Sequence, residues 1–251
     1  MTIASAAIAA EPEHLNWTID GVDREAILYA PASLPESGKS PVVFAFHGHG
    51  GHMDQCARQM HLQKEWPAAY VVYMQGLNTP TRLDPEGKKP GWQRAPGEQG
   101  DRDLKFFDAV LATLREKFKI DDHRIYATGF SNGSVFTFLL WGERPSTFAA
   151  YAPCSGPPME SVKLTVPKPV FIVTGKEDKI VPLAIEEAAI RRARELNHAT
   201  ADSQPGEDGI MLYKSTTDTP VQTLIHPGGH ILPTLAPKAI VKFFQAHELR
   251  N

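Results

Sequence analysis

Ser131 stands at the centre of Gly129-Phe130-Ser131-Asn132-Gly133, between the apolar run 124–128 and the helical run 135–141. Strand, sharp turn and helix in that order hold a serine in a strained backbone with its hydroxyl projecting, and glycines two residues either side keep neighbouring elements clear of it. The plainer role for Ser131 is that of a helix N-cap. As a nucleophile, a serine hydroxyl needs a base to take its proton and a third group to orient that base. Asp178 follows the apolar run 170–173, within Gly175-Lys176-Glu177-Asp178. His230 follows the run 221–225, within Pro227-Gly228-Gly229-His230, where glycine gives the backbone room to carry an imidazole across. Glu177 competes with Asp178 as the acid, and His226 with His230 as the base. His226 more naturally ends its strand, because the loop beyond it must arch toward Ser131.

A nucleophile of this kind serves acyl transfer, which also needs N–H donors aimed at the developing oxyanion. The backbone of Asn132 supplies one. The second is expected from the turn His47-Gly48-His49-Gly50-Gly51, from the amide of His49, with Gly50 as runner-up. His47, His49 and His52 could suggest a metal site, but no tight helical histidine pair accompanies them, and the backbone reading also explains the glycines. No metal is expected.

The positioning elements follow from periodicity. Residues 17–19 and 25–29, joined through Asp20-Gly21, read as an antiparallel edge pair. Continuous apolar runs at 41–46, 70–74, 171–173 and 223–225 read as strands buried on both faces. Leu104, Phe107, Leu111, Leu114 and Phe118 recur at three and four, predicting a helix over 103–118. Pro182 opens a second helix over 183–190, and 237–249 makes a closing one. Alternation of this kind after an initial hairpin argues for a mostly parallel central sheet with helices on both faces and an N-terminal antiparallel edge, with ligands beyond the strands' carboxyl ends. Residues 76–100 form a long Pro- and Gly-rich loop bordering that edge, where Trp92 and Gln93 are candidate substrate contacts; Trp92 could equally pin the loop to the core. Asp101 and Asp103 read as capping and dipole partners of the helix after them.

Composition bounds the rest. The chain has 251 residues, ample for one α/β domain, and 26 basic against 29 acidic side chains give no electrostatic surface for nucleic acid. No apolar run approaches the roughly 20 residues that span a bilayer, so no membrane partner is expected. Residues 1–14 read as a flexible N-terminal segment and 15–251 as a single domain without a large separate lid. The small apolar stretch 1–10 is either the tail of a clipped signal peptide, implying secretion, or a frayed terminus. Cys56 and Cys154 are free thiols or one bridge, and the compartment and oligomeric state stay open.

The chain resembles the α/β-hydrolase serine esterases, and within them the group containing poly(3-hydroxybutyrate) depolymerases and feruloyl or acetylxylan esterases. The resemblance is carried by Phe46-His47-Gly48-His49-Gly50-Gly51, Gly91-Trp92-Gln93, Asp101-Arg102-Asp103-Leu104, Tyr126-Ala127-Thr128-Gly129-Phe130-Ser131-Asn132-Gly133 and Gly228-Gly229-His230. It implies an α/β-hydrolase fold, nucleophile, acid and base at Ser131, Asp178 and His230, and no cofactor. It also implies a small-molecule or polymer-linked ester as partner, with feruloyl, acetyl or hydroxyalkanoate-type esters in view. Ser134 departs from the group, which usually has a second glycine after Ser-Asn-Gly, and should crowd the helix against the sheet slightly. Hydrolysis of amides or peptides, and a non-catalytic binding protein on the same fold, are the alternatives.

Overall fold

The structure, a computed structural model, describes residues 11–249. The stretch expected to be a leader or frayed end, 1–10, lies outside the described residues. Strand β1 (Glu13–Ile19) begins within the segment 1–14. It pairs antiparallel with β2 (Val22–Tyr29) through Asp20 and Gly21, both at positive φ, the twist a two-residue hairpin requires. There follow β3 (Ser40–Phe46), α1 (Met53–Met60), α2 (Leu62–Glu65) and β4 (Tyr70–Met74). The long loop contains β5 (Leu77–Asn78) and β6 (Pro90–Gly91), paired as a small ribbon. Then come α3 (Arg102–Lys117), β7 (Ile120–Phe130), α4 (Asn132–Glu143), β8 (Ala150–Cys154) and β9 (Val170–Gly175). The chain continues with α5 (Leu183–Leu196), β10 (Gln204–Pro205), β11 (Ile210–Tyr213), β12 (Val221–His226) and α6 (Ala236–Gln245).

One ten-stranded sheet has the order β1-β2-β4-β3-β7-β8-β9-β12-β11-β10. From β4 to β12 the strands run parallel, and both edges are antiparallel. Burial on both faces explains the continuous apolar sequences of β3, β4 and β9, whose residues are all buried. Residues of α3, α4 and α5 pack into the core on one face, and those of α1, α2 and α6 on the other. After β3 the chain steps outward to β4, then returns to the other side of β3 as β7. The carboxyl ends of β3 and β7 therefore flank a switch point, where a crevice opens in sheets of this kind. No helix among the described residues is long and apolar enough to cross a membrane.

The closing helix stops at Gln245 rather than continuing to 249, with Ala246 and His247 bonding back to the carbonyls of Phe243 and Phe244. Cys56 and Cys154 are both free and buried, and burial pushes the Cys154 thiol up to about 12.

Candidate active site

Ser131 occupies the junction of β7 and α4 at φ 56° and ψ −117°, a conformation that L-residues avoid. The surrounding glycines are steric necessities. A Cβ on Gly129 would overlap the carbonyl oxygen of Gly133, and one on Gly133 would overlap that of Phe46 at the end of β3. The turn holds its position through the Ser131 amide, which donates to Cys154 O at 2.8 Å. No side-chain hydrogen bond caps α4, so the Ser131 hydroxyl is not serving as an N-cap.

That hydroxyl lies 2.8 Å from Nε2 of His230, and His230 Nδ1 lies 2.6 Å from Oδ2 of Asp178. A carboxylate only accepts, so Nδ1 carries the proton and Nε2 is free to take one from Ser131. Asp178 is fixed in turn. Its Oδ1 accepts from the amides of Ile180 and Val181, both at 2.8 Å, and its side chain is fully buried. The His230 ring also rests on Phe130, with centroids 4.9 Å apart. The rivals lie elsewhere. Glu177 is exposed, while His226 is buried at the end of β12 and its Nδ1 accepts from the Gly228 amide. Burial holds the His226 imidazole below the usual histidine range.

The expected donors flank the same point. The amide of Asn132 is at the first position of α4, ahead of the first intrahelical bond, from Val135 N to Ser131 O. In the turn after β3, the amides of Gly50 and Gly51 are already engaged, with Pro90 O at 2.7 Å and Gly48 O at 2.9 Å. The His49 amide makes no hydrogen bond among the described residues, which favours it over Gly50. The turn is braced by His47, whose Nδ1 donates to Gly48 O (2.8 Å) while Nε2 accepts from the Gly76 amide (2.9 Å). Burial pushes the His47 imidazole down to about 4. His49 Nε2 meets Asp84 Oδ2 at 3.1 Å, and His52 accepts from Asp54 N at the start of α1. Each histidine of the cluster thus has its own local partner.

Trp92 and Gln93 are not exposed to a substrate. Both are completely buried. Trp92 stacks on Phe136 at 5.3 Å, meets Phe46 edge-on, and donates from Nε1 to His47 O at 2.9 Å. Its backbone is clamped by the Asn132 side chain, which accepts from Trp92 N (2.6 Å) and donates to Trp92 O (3.1 Å). The long loop is therefore pinned to the residue after the nucleophile. Gly91 fits between them because a Cβ there would lie 2.8 Å from both Asn132 Oδ1 and His49 Nδ1. Gln93, rather than Asp101 or Asp103, satisfies the start of α3: its Oε1 accepts from the amides of Asp103 (3.0 Å) and Leu104 (3.2 Å). Asp103 instead makes a buried ion pair with Arg24 of β2 at 2.7 Å, and Asp101 accepts from Gly97 N and Gln93 Nε2. Ser134 does not simply crowd the helix. Its hydroxyl donates to Gly156 O at 2.7 Å, and the glycine at 156 makes the room.

No family profile matches the sequence. Among curated relatives, the probable feruloyl esterase C of Aspergillus flavus is 24% identical over 257 residues, covering 96% of this chain and 91% of that protein. The putative esterase NocK of Nocardia uniformis is 32% identical over 164 residues, 61% of this chain and 43% of its own length. The bifunctional acetylxylan esterase/xylanase XynS20E of Neocallimastix patriciarum is 26% identical over 73% of this chain, which spans 26% of that protein. Among solved structures, the acetyl xylan esterase from Aspergillus awamori superposes with a TM-score of 0.70 at 12% identity, over 93% of this chain and 99% of that one. A thermostable esterase gives 0.67 at 17% identity, over 95% of this chain and 63% of that one. The fold is that of the α/β-hydrolases. In this fold Ser131, at the carboxyl end of β7, lies at the switch point, and the relatives and structures named above are called esterases.

Proposed function

We propose that this α/β-hydrolase is a serine carboxylic ester hydrolase working through an acyl-enzyme, with Ser131 as nucleophile, His230 as base and Asp178 as the acid that orients it. The observation that carries the reading is the unbroken Ser131–His230–Asp178 relay ending in a carboxylate fixed by two backbone amides. His230 Nε2 takes the Ser131 proton as Oγ attacks the ester carbonyl, and Asp178 stabilises the imidazolium that forms. The amides of Asn132 and His49 receive the oxyanion. Each such donor is worth roughly 2.7–4 kcal/mol in the transition state. Collapse expels the alcohol with the proton from His230. Water, deprotonated by the same imidazole, then releases the acid and restores Ser131.

Feruloyl, acetyl or hydroxyalkanoate-type esters are the substrate classes, the first two in line with the relatives' names. A cleft of about 160 Å³ lies beside the oxyanion turn, lined by Gly48, His49, Gln55, Met60 and Phe130 among others. Ile180 and Ile231, neighbours of Asp178 and His230 in sequence, are exposed and offer apolar contact. A panel of p-nitrophenyl acetate, its matching anilide, methyl ferulate, acetylated xylan and poly(3-hydroxybutyrate) tests the reading. Hydrolysis of at least one ester, with the anilide far slower, is expected. Turnover of the anilide alone, or of none of them, refutes it.

A further inference from the structure

The two amides assigned to the oxyanion belong to residues whose side chains grip one and the same loop. Asn132 holds it from the start of α4, its Oδ1 accepting from Trp92 N at 2.6 Å and its Nδ2 donating to Trp92 O at 3.1 Å. His49 holds it from the turn after β3, its Nε2 meeting Asp84 Oδ2 at 3.1 Å. Gly91 lies between the two grips, since a Cβ there would sit 2.8 Å from Asn132 Oδ1 and 2.8 Å from His49 Nδ1. The segment 84–92 thus runs from one donor residue to the other as a continuous strap. The turn after β3 lies against the strand-to-helix elbow at Ser131, because a Cβ on Gly48 would be 3.4 Å from both Ser131 Cβ and Phe130 O.

The His49 end of the strap depends on one side chain. A carboxylate only accepts, so His49 Nε2 carries the proton and Nδ1 is bare. Nδ1 is buried without a hydrogen-bond partner, which leaves the bond to Asp84 as the ring's only one among the described residues. The same Oδ2 accepts from the Lys89 amide at 2.9 Å, so a single oxygen ties the imidazole to the strap's backbone. One residue further on, Pro90 O accepts from the Gly50 amide at 2.7 Å, next to the unengaged amide of His49. Asp84 is itself held in place: it exchanges backbone hydrogen bonds with Thr81 at 2.9 and 3.1 Å, and Lys89 O accepts from Thr79 N at 3.0 Å. From α3 the Arg102 guanidinium donates to Asn78 O at 2.9 Å and Thr79 Oγ1 at 2.7 Å, anchoring the ribbon. With side chains 16% and 11% exposed, the His49–Asp84 pair is shielded, unlike the solvated surface pairs that constrain little.

We propose that Asp84 is a positioning residue for the oxyanion hole: through the His49 imidazole it fixes the turn 47–51 on the strap and so sets the separation of the His49 and Asn132 amides. The proposal rests on the reading of Ser131 as an acyl-transfer nucleophile. Donors stabilise an oxyanion only when they already point at the place where charge develops, because that preorganisation avoids the cost of turning dipoles during the reaction. His49 has glycines at 48, 50 and 51 around it, and glycine-rich backbone has little stiffness of its own. The imidazole–carboxylate strut supplies the stiffness, and Asp84 needs no contact with substrate to do so.

The test is steady-state hydrolysis of p-nitrophenyl acetate at pH 7.5 by the full chain, for wild type, Asp84→Ala, His49→Ala and the double variant, each with its thermal midpoint. His49→Ala keeps the donor amide and removes only the strut. Complete loss of one oxyanion donor costs roughly 10²–10³ in kcat, and a misplacement of about 1 Å costs about 10². Asp84→Ala is therefore expected to lower kcat by about 10- to 100-fold while KM stays within about three-fold, the mark of an interaction made in the transition state. His49→Ala should match it. The double variant should fall no further than the worse single one, because both substitutions remove the same interaction. Either single variant suffices if the other does not fold. An unchanged kcat in a folded variant overturns the proposal, as does a raised KM at constant kcat, which marks a substrate contact instead. Multiplying losses in the double variant, or a lowered thermal midpoint alone, also overturn it. Failure of wild type to hydrolyse this or any other ester of the panel refutes the hydrolase reading itself.

Discussion

His47 offers a quantitative test of how the oxyanion turn is built. Its ring is 4% exposed and is locked as one tautomer, because Nδ1 faces the Gly48 carbonyl and Nε2 faces two donors, Gly76 N at 2.9 Å and Gln75 Nε2 at 3.2 Å. A second proton on Nε2 would oppose both donors and charge a buried ring. The folded-state value of about 4 lies below the 6.5 of an ordinary histidine. The unfolded chain therefore binds more protons between these values, so the stabilisation is fully present above pH 6.5 and is lost as the pH falls through 4. With one unit worth about 1.4 kcal/mol, the loss between pH 7 and pH 4.5 comes to about 2 kcal/mol from this group. Urea unfolding of wild type and His47→Gln at both pH values isolates it, because other titrating groups cancel in the comparison. The wild type should lose about 2 kcal/mol more than the variant over that interval. Equal losses, to within about 0.5 kcal/mol, would refute the neutral-imidazole brace.

Three further outcomes follow from the geometry. Trp92→Ala removes a fully buried indole and should cost about 3–5 kcal/mol, read as a drop in the thermal midpoint of roughly 2–4 °C for each kcal/mol; an unchanged midpoint would show that Trp92 does not anchor the loop. Gly133→Ala places a Cβ against Phe46 O, so soluble protein should fall sharply and any that folds should show a displaced Ser131 with activity down by more than ten-fold; normal yield and activity would contradict the elbow's steric argument. Asp178→Asn should keep the fold, read by circular dichroism, while kcat drops on the order of 10⁴ because the amide reverses the His230 tautomer; near-normal turnover would move the acid's role elsewhere.

Much of the scaffold was legible because burial on both faces writes itself as an unbroken apolar run. Strands β3 and β4 coincide with the runs at 41–46 and 70–74, and α3 with the stripe from Leu104. β8 gives no such signal: Ala150-Tyr151-Ala152-Pro153-Cys154 has little β-branched character and is a strand through its neighbours, β7 and β9. α1 is short, and its inward stripe of Met53, Cys56, Ala57 and Met60 spans only about two turns behind a capping histidine. β11 owes its conformation to pairing on β12, and β10 to pairing on β11. At the site, glycine spacing and strand-end position pointed to Ser131, Asp178 and His230, because those constraints are local. The work of Trp92 and Gln93 is tertiary, so sequence could not separate a substrate wall from a loop anchor.

The central claim is that the Ser131 hydroxyl is activated by His230. Intact-mass analysis of the full chain after fluorophosphonate treatment at pH 7.5, with peptide mapping, measures it directly. One adduct on Ser131, absent in Ser131→Ala and slowed on the order of 10³-fold or more in His230→Ala, is the predicted result. An adduct on another residue, or labelling of Ser131 at an unchanged rate without His230, would contradict it.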